Sequence, residues 1–177
     1  MTPDELLALR REKDQFFKAS PQSPLSLDQQ DAFTGLSYYP PNPALDLVVT
    51  VEPLPESEGE IVIETTTDER RRYRRYGRFR FMVDGQDAEL TIYEAPYGYF
   101  LPFVDANAGA ETYPAGRYLE PDELGNGQFH VDFNLAYNPY CAYGDGWSCP
   151  ITPAENRLKL AIRAGEKLPA GAWVEMS

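Results

Sequence analysis

Between residues 45 and 92 the apolar positions recur with a period of two. Leu45, Leu47, Val49 and Val51 alternate with Asp46, Thr50 and Glu52, which predicts a strand with one buried face. A second strand is predicted over 60–66. Phe79, Phe81 and Val83 then run into Asp84-Gly85, a two-residue turn of the kind that closes hairpins, and Ala88, Leu90 and Ile92 return on the other side. Short strands are predicted at 99–104, 117–120, 128–133, 158–163 and 172–175, with turns at 107–109, Asn126-Gly127 and Gly165. Such spacing implies a mostly β chain, either an antiparallel β-sandwich or a partly open β-barrel.

The first residues follow another period. Thr2-Pro3-Asp4-Glu5 combines an N-cap, a proline at N1 and a glutamate at N3, and Leu6, Leu9, Lys13, Phe16 and Phe17 continue at helical spacing. An N-terminal amphipathic helix is therefore expected over about 3–18, ending ahead of Ser20-Pro21 and Ser23-Pro24. Ser26 and Gln29 are placed to cap one more short turn. Residues 1–40 read as a lead-in packed on a β domain of 41–177, because Phe16, Phe17, Phe33, Leu36, Tyr38 and Tyr39 need cover. No repeat or linker divides the chain, so one domain over 1–177 is expected.

Sixteen Lys plus Arg against 28 Asp plus Glu leave a formal charge of -12, which repels phosphate backbones and anionic lipid. Nucleic-acid and membrane partners are disfavoured on that ground. The run 70–80, with seven arginines among Tyr73, Tyr76 and Phe79, qualifies the picture locally, since it has the composition of a stacking and phosphate-binding strand. Period two gives the plainer account: Arg70, Arg72, Arg74, Arg78 and Arg80 share a solvated face paired with carboxylates, and Tyr73, Phe79, Phe81 and Val83 face the core. With no apolar leader and no run approaching ~20 apolar residues, a cytoplasmic protein is expected, with Cys141 and Cys149 as thiols. In an oxidising compartment a disulfide between the same two is an alternative.

Residues 130–156 hold His130, Asp132, Asn134, Tyr137, Asn138, Tyr140, Cys141, Tyr143, Trp147, Cys149, Glu155 and Asn156, broken by Asn138-Pro139, Gly144-Asp145-Gly146 and Cys149-Pro150. This reads as a long ordered loop after a strand, and such loops are often functional. The strings Glu111-Thr112-Tyr113, Gly116-Arg117-Tyr118-Leu119, Asp132-Phe133-Asn134, 136–143, Ser148-Cys149-Pro150, Glu155-Asn156 and 162–166 resemble domain-of-unknown-function family 1684. The resemblance extends to Phe16-Phe17, Ser23-Pro24-Leu25 and Gly35-Leu36. Pro114 stands where that family more often has glycine and Thr152 where it has proline. The family brings no established activity with it.

On the residues themselves, the leading expectation is a small polar, aromatic-walled pocket that binds a small anionic ligand without chemistry. Arg117 would supply the fork, Asp132, Asn134, Asn138 and Asn156 the directional hydrogen bonds, and Tyr137, Cys141, Tyr143 and Trp147 the walls. The competing account of the same residues is a buried polar network that holds the loop. An enzyme, hydrolase or transferase, would use Cys141 with His130, the one histidine, or an Asp132/Glu155 carboxylate pair. A metal held by Cys141, Cys149, His130 and Asp132 is poorly supported, because seven residues separate the thiols, so no metal is assigned. A structural or protein-interaction domain is the third class. No cofactor or oligomeric state follows from these residues.

Overall fold

The computed structural model describes residues 1–176. Helix α1 (Pro3–Ala19) starts on a complete capping box, in which Thr2 Oγ1 accepts from the Glu5 N–H at 3.1 Å and the Glu5 carboxylate accepts from the Thr2 N–H at 2.8 Å. Helix α2 (Leu27–Ala32) repeats the device with Ser26 and Gln29. No helix among the described residues is long and apolar enough to cross a membrane.

Nine strands follow: β1 (Asp46–Thr50), β2 (Glu52–Pro53), β3 (Glu60–Glu64), β4 (Arg70–Val83), β5 (Gln86–Ala95), β6 (Gly98–Phe103), β7 (Arg117–Leu119), β8 (Asp122–Gly125) and β9 (Gln128–Asp132). They form two antiparallel sheets, one ordered β1-β9-β8 and the other β2-β4-β5-β6-β7 with β3 also on β4. Val49, Val51, Phe79, Phe81, Leu90, Ile92, Leu101, Phe103, Phe129 and Val131 meet between them as the main core. The hairpins β4–β5 and β8–β9 turn on Asp84-Gly85 and Asn126-Gly127, with both residues of each pair at positive φ, as a tight antiparallel turn demands. The sheets do not close into a barrel. β2 pairs with β4 at Glu52↔Arg78 and Pro53↔Gly77; beyond that point β1 is partnered by β9 and β4 by β5, so the two strands splay.

β4 alternates as its sequence implies, and each of its seven arginines lies within 4.0 Å of a carboxylate: Glu60, Glu64, Glu69, Glu89, Glu94 or Glu155. Pairs this exposed stabilise by about 1 kcal/mol at most, so their main effect is to neutralise the strand.

Three expectations are corrected, and one strand, β8, has no sequence signal. β8 was not foreseen, because all four of its residues are exposed and carry no alternation. Residues 172–175 form a 3-10 turn (Ala172–Glu175) that buries Trp173 with Phe17, Phe33 and Tyr143. Residues 158–163 keep the predicted burial, with Leu160 and Ile162 in the core, but are not a strand: the Leu158 N–H and the Leu160 carbonyl bond the backbone of Val104 and Ala106, whereas at Ile162 side chains take over, its N–H donating to Asp105 Oδ2 at 2.8 Å and its carbonyl accepting from Arg117. The face α1 buries is Leu6, Arg10 and Phe17, while Leu9 and Phe16 stay exposed.

Gly165 lets this last segment lie against the chain after β9. At φ 80°, an added Cβ would stand 2.7 Å from the Ala136 carbonyl oxygen and 2.8 Å from that of Phe133. Gly165→Ala is expected to lower stability by about 2–4 kcal/mol, from left-handed strain plus overpacking. Urea unfolding measures this, and a loss of a few tenths would show that the approach is not tight.

Candidate functional site

Arg117, expected as the anion fork, is 1 % exposed and faces protein instead. Its Nη1 donates to the Ala164 and Glu166 carbonyls and its Nη2 to that of Ile162, while Asp105 Oδ2 lies 3.6 Å away. Burial pulls the guanidinium below its ordinary pKa, and Asp105 opposes the shift. Two further predicted residues are fasteners of the same kind. Asn156 is fully buried, accepts from the Thr91 N–H at 2.9 Å and donates to the Thr91 and Pro102 carbonyls, standing where a strand neighbour would stand. Asn134 exchanges two bonds with the backbone of Asn42.

Asn138 and Tyr143 belong to a buried network centred on Glu166, a residue to which the sequence pattern alone assigns no role. Glu166 Oε2 accepts from the Asn138 N–H and the Tyr143 hydroxyl, both at 2.8 Å, and Oε1 accepts from Lys13 of α1. Burial, reinforced by the Glu166 charge, holds the Tyr143 phenol far above its usual pKa. Farther along the loop, Cys141 Sγ donates to the Trp147 carbonyl at 3.3 Å and meets Thr66 Oγ1 at 3.4 Å, and Trp147 packs edge-on against Tyr140. Both cysteines are free thiols. Cys149 is the more buried, and burial together with its hydrogen bond to Cys141 pushes it up to about 11.

Asp132 and Tyr137 border a cavity. A space of about 120 Å³ is walled by Glu120, Asp122, His130, Asp132 and Tyr137 among others, and the Tyr137 hydroxyl donates to Glu120. His130 Nε2 is 2.6 Å from Asp46 Oδ1 across the β1–β9 pair. The walls are acidic, which suits a cation better than the anion expected from Arg117.

A groove of about 880 Å³ opens where β1 and β4 splay. Val49, Phe79 and Phe81 form its floor, Val48 and Met82 its lips, and Glu52, Arg78, Arg80 and Glu89 its charged rim. No predicted site residue lines it. Its signal was in the sequence nevertheless, since Val48 and Met82 place apolar side chains on the outward phase of their strands, each 61 % exposed.

Comparison with known proteins places this architecture. The family model described as protein of unknown function (DUF1684) matches residues 31–167. The chain belongs to the DUF1684 family. It is also similar to the solution NMR structure of an uncharacterized protein from Haloarcula marismortui, at 38% identity over 93% of this chain and 92% of that one, with a TM-score of 0.67. No curated protein matches the chain.

Within this DUF1684 chain the two catalytic pairings are not assembled. His130 bonds Asp46 on the β1–β9 sheet, whereas Cys141 bonds Thr66 and Trp147, with no shared partner. Asp132 bonds Asn134, whereas Glu155 serves Arg75, Arg78 and Tyr93. For the same reason Cys141, Cys149, His130 and Asp132 do not form one metal set.

Two outcomes follow. Arg117→Met is expected to destabilise by about 3 kcal/mol or more, because three buried carbonyls lose their donor and buried Asp105 its balancing charge; an unchanged urea midpoint would return Arg117 to the pool of free binding groups. At pH 8 a thiol with a pKa of about 11 is thiolate in only about one molecule per thousand. Iodoacetamide followed by peptide mapping is therefore expected to label Cys141 well before Cys149, and equal labelling would contradict this arrangement of the thiols.

Proposed function

We propose that this DUF1684 chain is a non-catalytic binding domain whose seat for a small amphipathic ligand is the β1–β4 groove. The observation that carries the reading is the groove itself. At about 880 Å³ it falls in the usual volume range for ligand pockets, and it sets the exposed side chains of Val48 and Met82 beside charged groups over a floor of Val49, Phe79 and Phe81. The sheet topology accounts for its presence, because β1 and β4 are tied at Glu52↔Arg78 and then part.

The rim favours a ligand with an apolar body and an anionic end. Arg80 is held by Glu89 at 3.0 Å in a solvent-exposed pair, and a pair of that kind exchanges partners at a cost of about 1 kcal/mol or less. A carboxylate or sulfonate is thus able to replace Glu89 without leaving a buried charge unpaired. This keeps the expected ligand class and moves its seat away from Arg117 and the 130–156 loop. With neither catalytic pairing assembled, the reading needs no reaction.

Titration with 8-anilinonaphthalene-1-sulfonate, an apolar anion, tests it. Saturable binding of one probe per chain is expected, with methyl NMR shifts centred on Val48 and Met82. Met82→Glu should weaken binding by about tenfold or more, through lost apolar contact and added negative charge. Shifts centred on Trp147 would return the seat to the loop, and absence of saturable binding would remove the groove as a ligand site.

A further inference from the structure

We infer that Asp46, His130 and Asp132 form a binding site for one divalent transition-metal ion. Antiparallel pairing sets Asp46 directly opposite Asp132, and His130 lies two residues before Asp132, on the same face of β9. One donor atom from each residue lies within 4.8 Å of the others, so a modest closure brings all three onto a single ion. The set is one imidazole and two carboxylates, a donor mixture that suits ions of the manganese-to-zinc series better than magnesium or calcium.

A second observation, independent of the clustering, concerns Asp132. It is 6 % exposed, and its Oδ1 accepts from both the backbone N–H and the side-chain amide of Asn134, at 3.0 and 2.9 Å. Its Oδ2 has no hydrogen-bond partner among the described residues. Arg10, whose charge is felt at Asp132, directs its terminal nitrogens to the carbonyls of Tyr39 and Asn134. The other nearby cation, the α-amino group of Met1, stands 3.9 Å from Asp46. A mostly buried carboxylate with one oxygen unbonded, opposite a second carboxylate, leaves a position that a bound cation fills.

The surroundings complete an open site. Asn134 orients Asp132 as an outer-shell partner does. Cavities of about 100 Å³ and 120 Å³ adjoin the cluster, the first bordered by Asp46, Asp132 and Asn134 and the second by His130, Asp132 and Tyr137. Either has room for water in the remaining coordination positions. The site is separate from the β1–β4 groove and does not depend on it.

Calorimetric titration of the full chain with Zn²⁺ and Mn²⁺, with Mg²⁺ as comparison, tests the inference. It is read together with the NMR signals of the chain's one imidazole. The expected result is one Zn²⁺ per chain, displaced His130 ring resonances, and the same affinity in a Cys141→Ser/Cys149→Ser variant. Asp132→Asn, Asp46→Asn and His130→Ala should each weaken binding by about tenfold or more. The half-buried, outward-facing His130 ring can be removed without opening the core, which keeps that variant informative. Binding unchanged in His130→Ala, binding lost in the cysteine variant, Mg²⁺ bound as tightly as Zn²⁺, or no saturable binding at all would each overturn the assignment.

Discussion

The buried pairing of Arg117 with Asp105 is the constraint from which much of the architecture follows. A guanidinium is the one side chain with enough donors in a fixed plane to serve several carbonyls at once, and Arg117 serves those of Ile162, Ala164 and Glu166. Asp105 offsets its charge, accepts the Ile162 N–H at 2.8 Å and takes the Thr112 hydroxyl at 2.7 Å. Together with backbone bonds from Leu158 and Leu160 to Val104 and Ala106, they hold a non-strand segment against the core. Breaking such a pair is far more damaging than the pair's net contribution implies, because each partner left alone is a buried charge.

Holding residues 162–166 also sets the position of Glu166, and with it the docking of α1. Glu166 reaches Lys13 on the helix and Asn138 and Tyr143 on the loop after β9, so three parts of the chain converge on one carboxylate. Apolar packing supplements this contact through Phe17, which lies edge-on to Tyr143 with ring centroids 5.0 Å apart. The helix thus docks through a mixed face, polar at Arg10 and Lys13 and apolar at Leu6 and Phe17. A search for an apolar stripe picks out Leu9 and Phe16 and misses Arg10.

What was legible in the chain was local. Period two located β1, β3 to β7 and β9, the Asp84-Gly85 turn marked the β4–β5 hairpin, and Thr2 to Glu5 marked the start of α1. What escaped depends on partners distant in sequence. Leu160 and Ile162 alternate like a strand, yet the backbone groups of Ile162 are taken by the side chains of Arg117 and Asp105, far back in the chain. Asp46 looked like an ordinary outward residue of a strand until pairing set it opposite Asp132. The polar residues of 130–156 stand out in the sequence, but composition does not distinguish an asparagine that holds a ligand from one that replaces a strand neighbour, as Asn156 does at Thr91.

That distinction rests on counting donors and acceptors. Arg117, Asn134 and Asn156 have their polar groups directed at named backbone partners, and a group so used has little left for a ligand. Asp132 departs from this rule, because one oxygen is engaged twice by Asn134 while the other has no hydrogen bond among the described residues. The basic strand obeys it in reverse: the arginines of β4 are balanced by carboxylates at the surface, where exchange costs little, and two of them stand at the rim of the groove. The two proposed sites therefore lie where pairing is incomplete or easily exchanged, at the β1–β9 cluster and along the splayed edges of β1 and β4. The polar residues of the long loop, dense as they are, mainly hold the chain together.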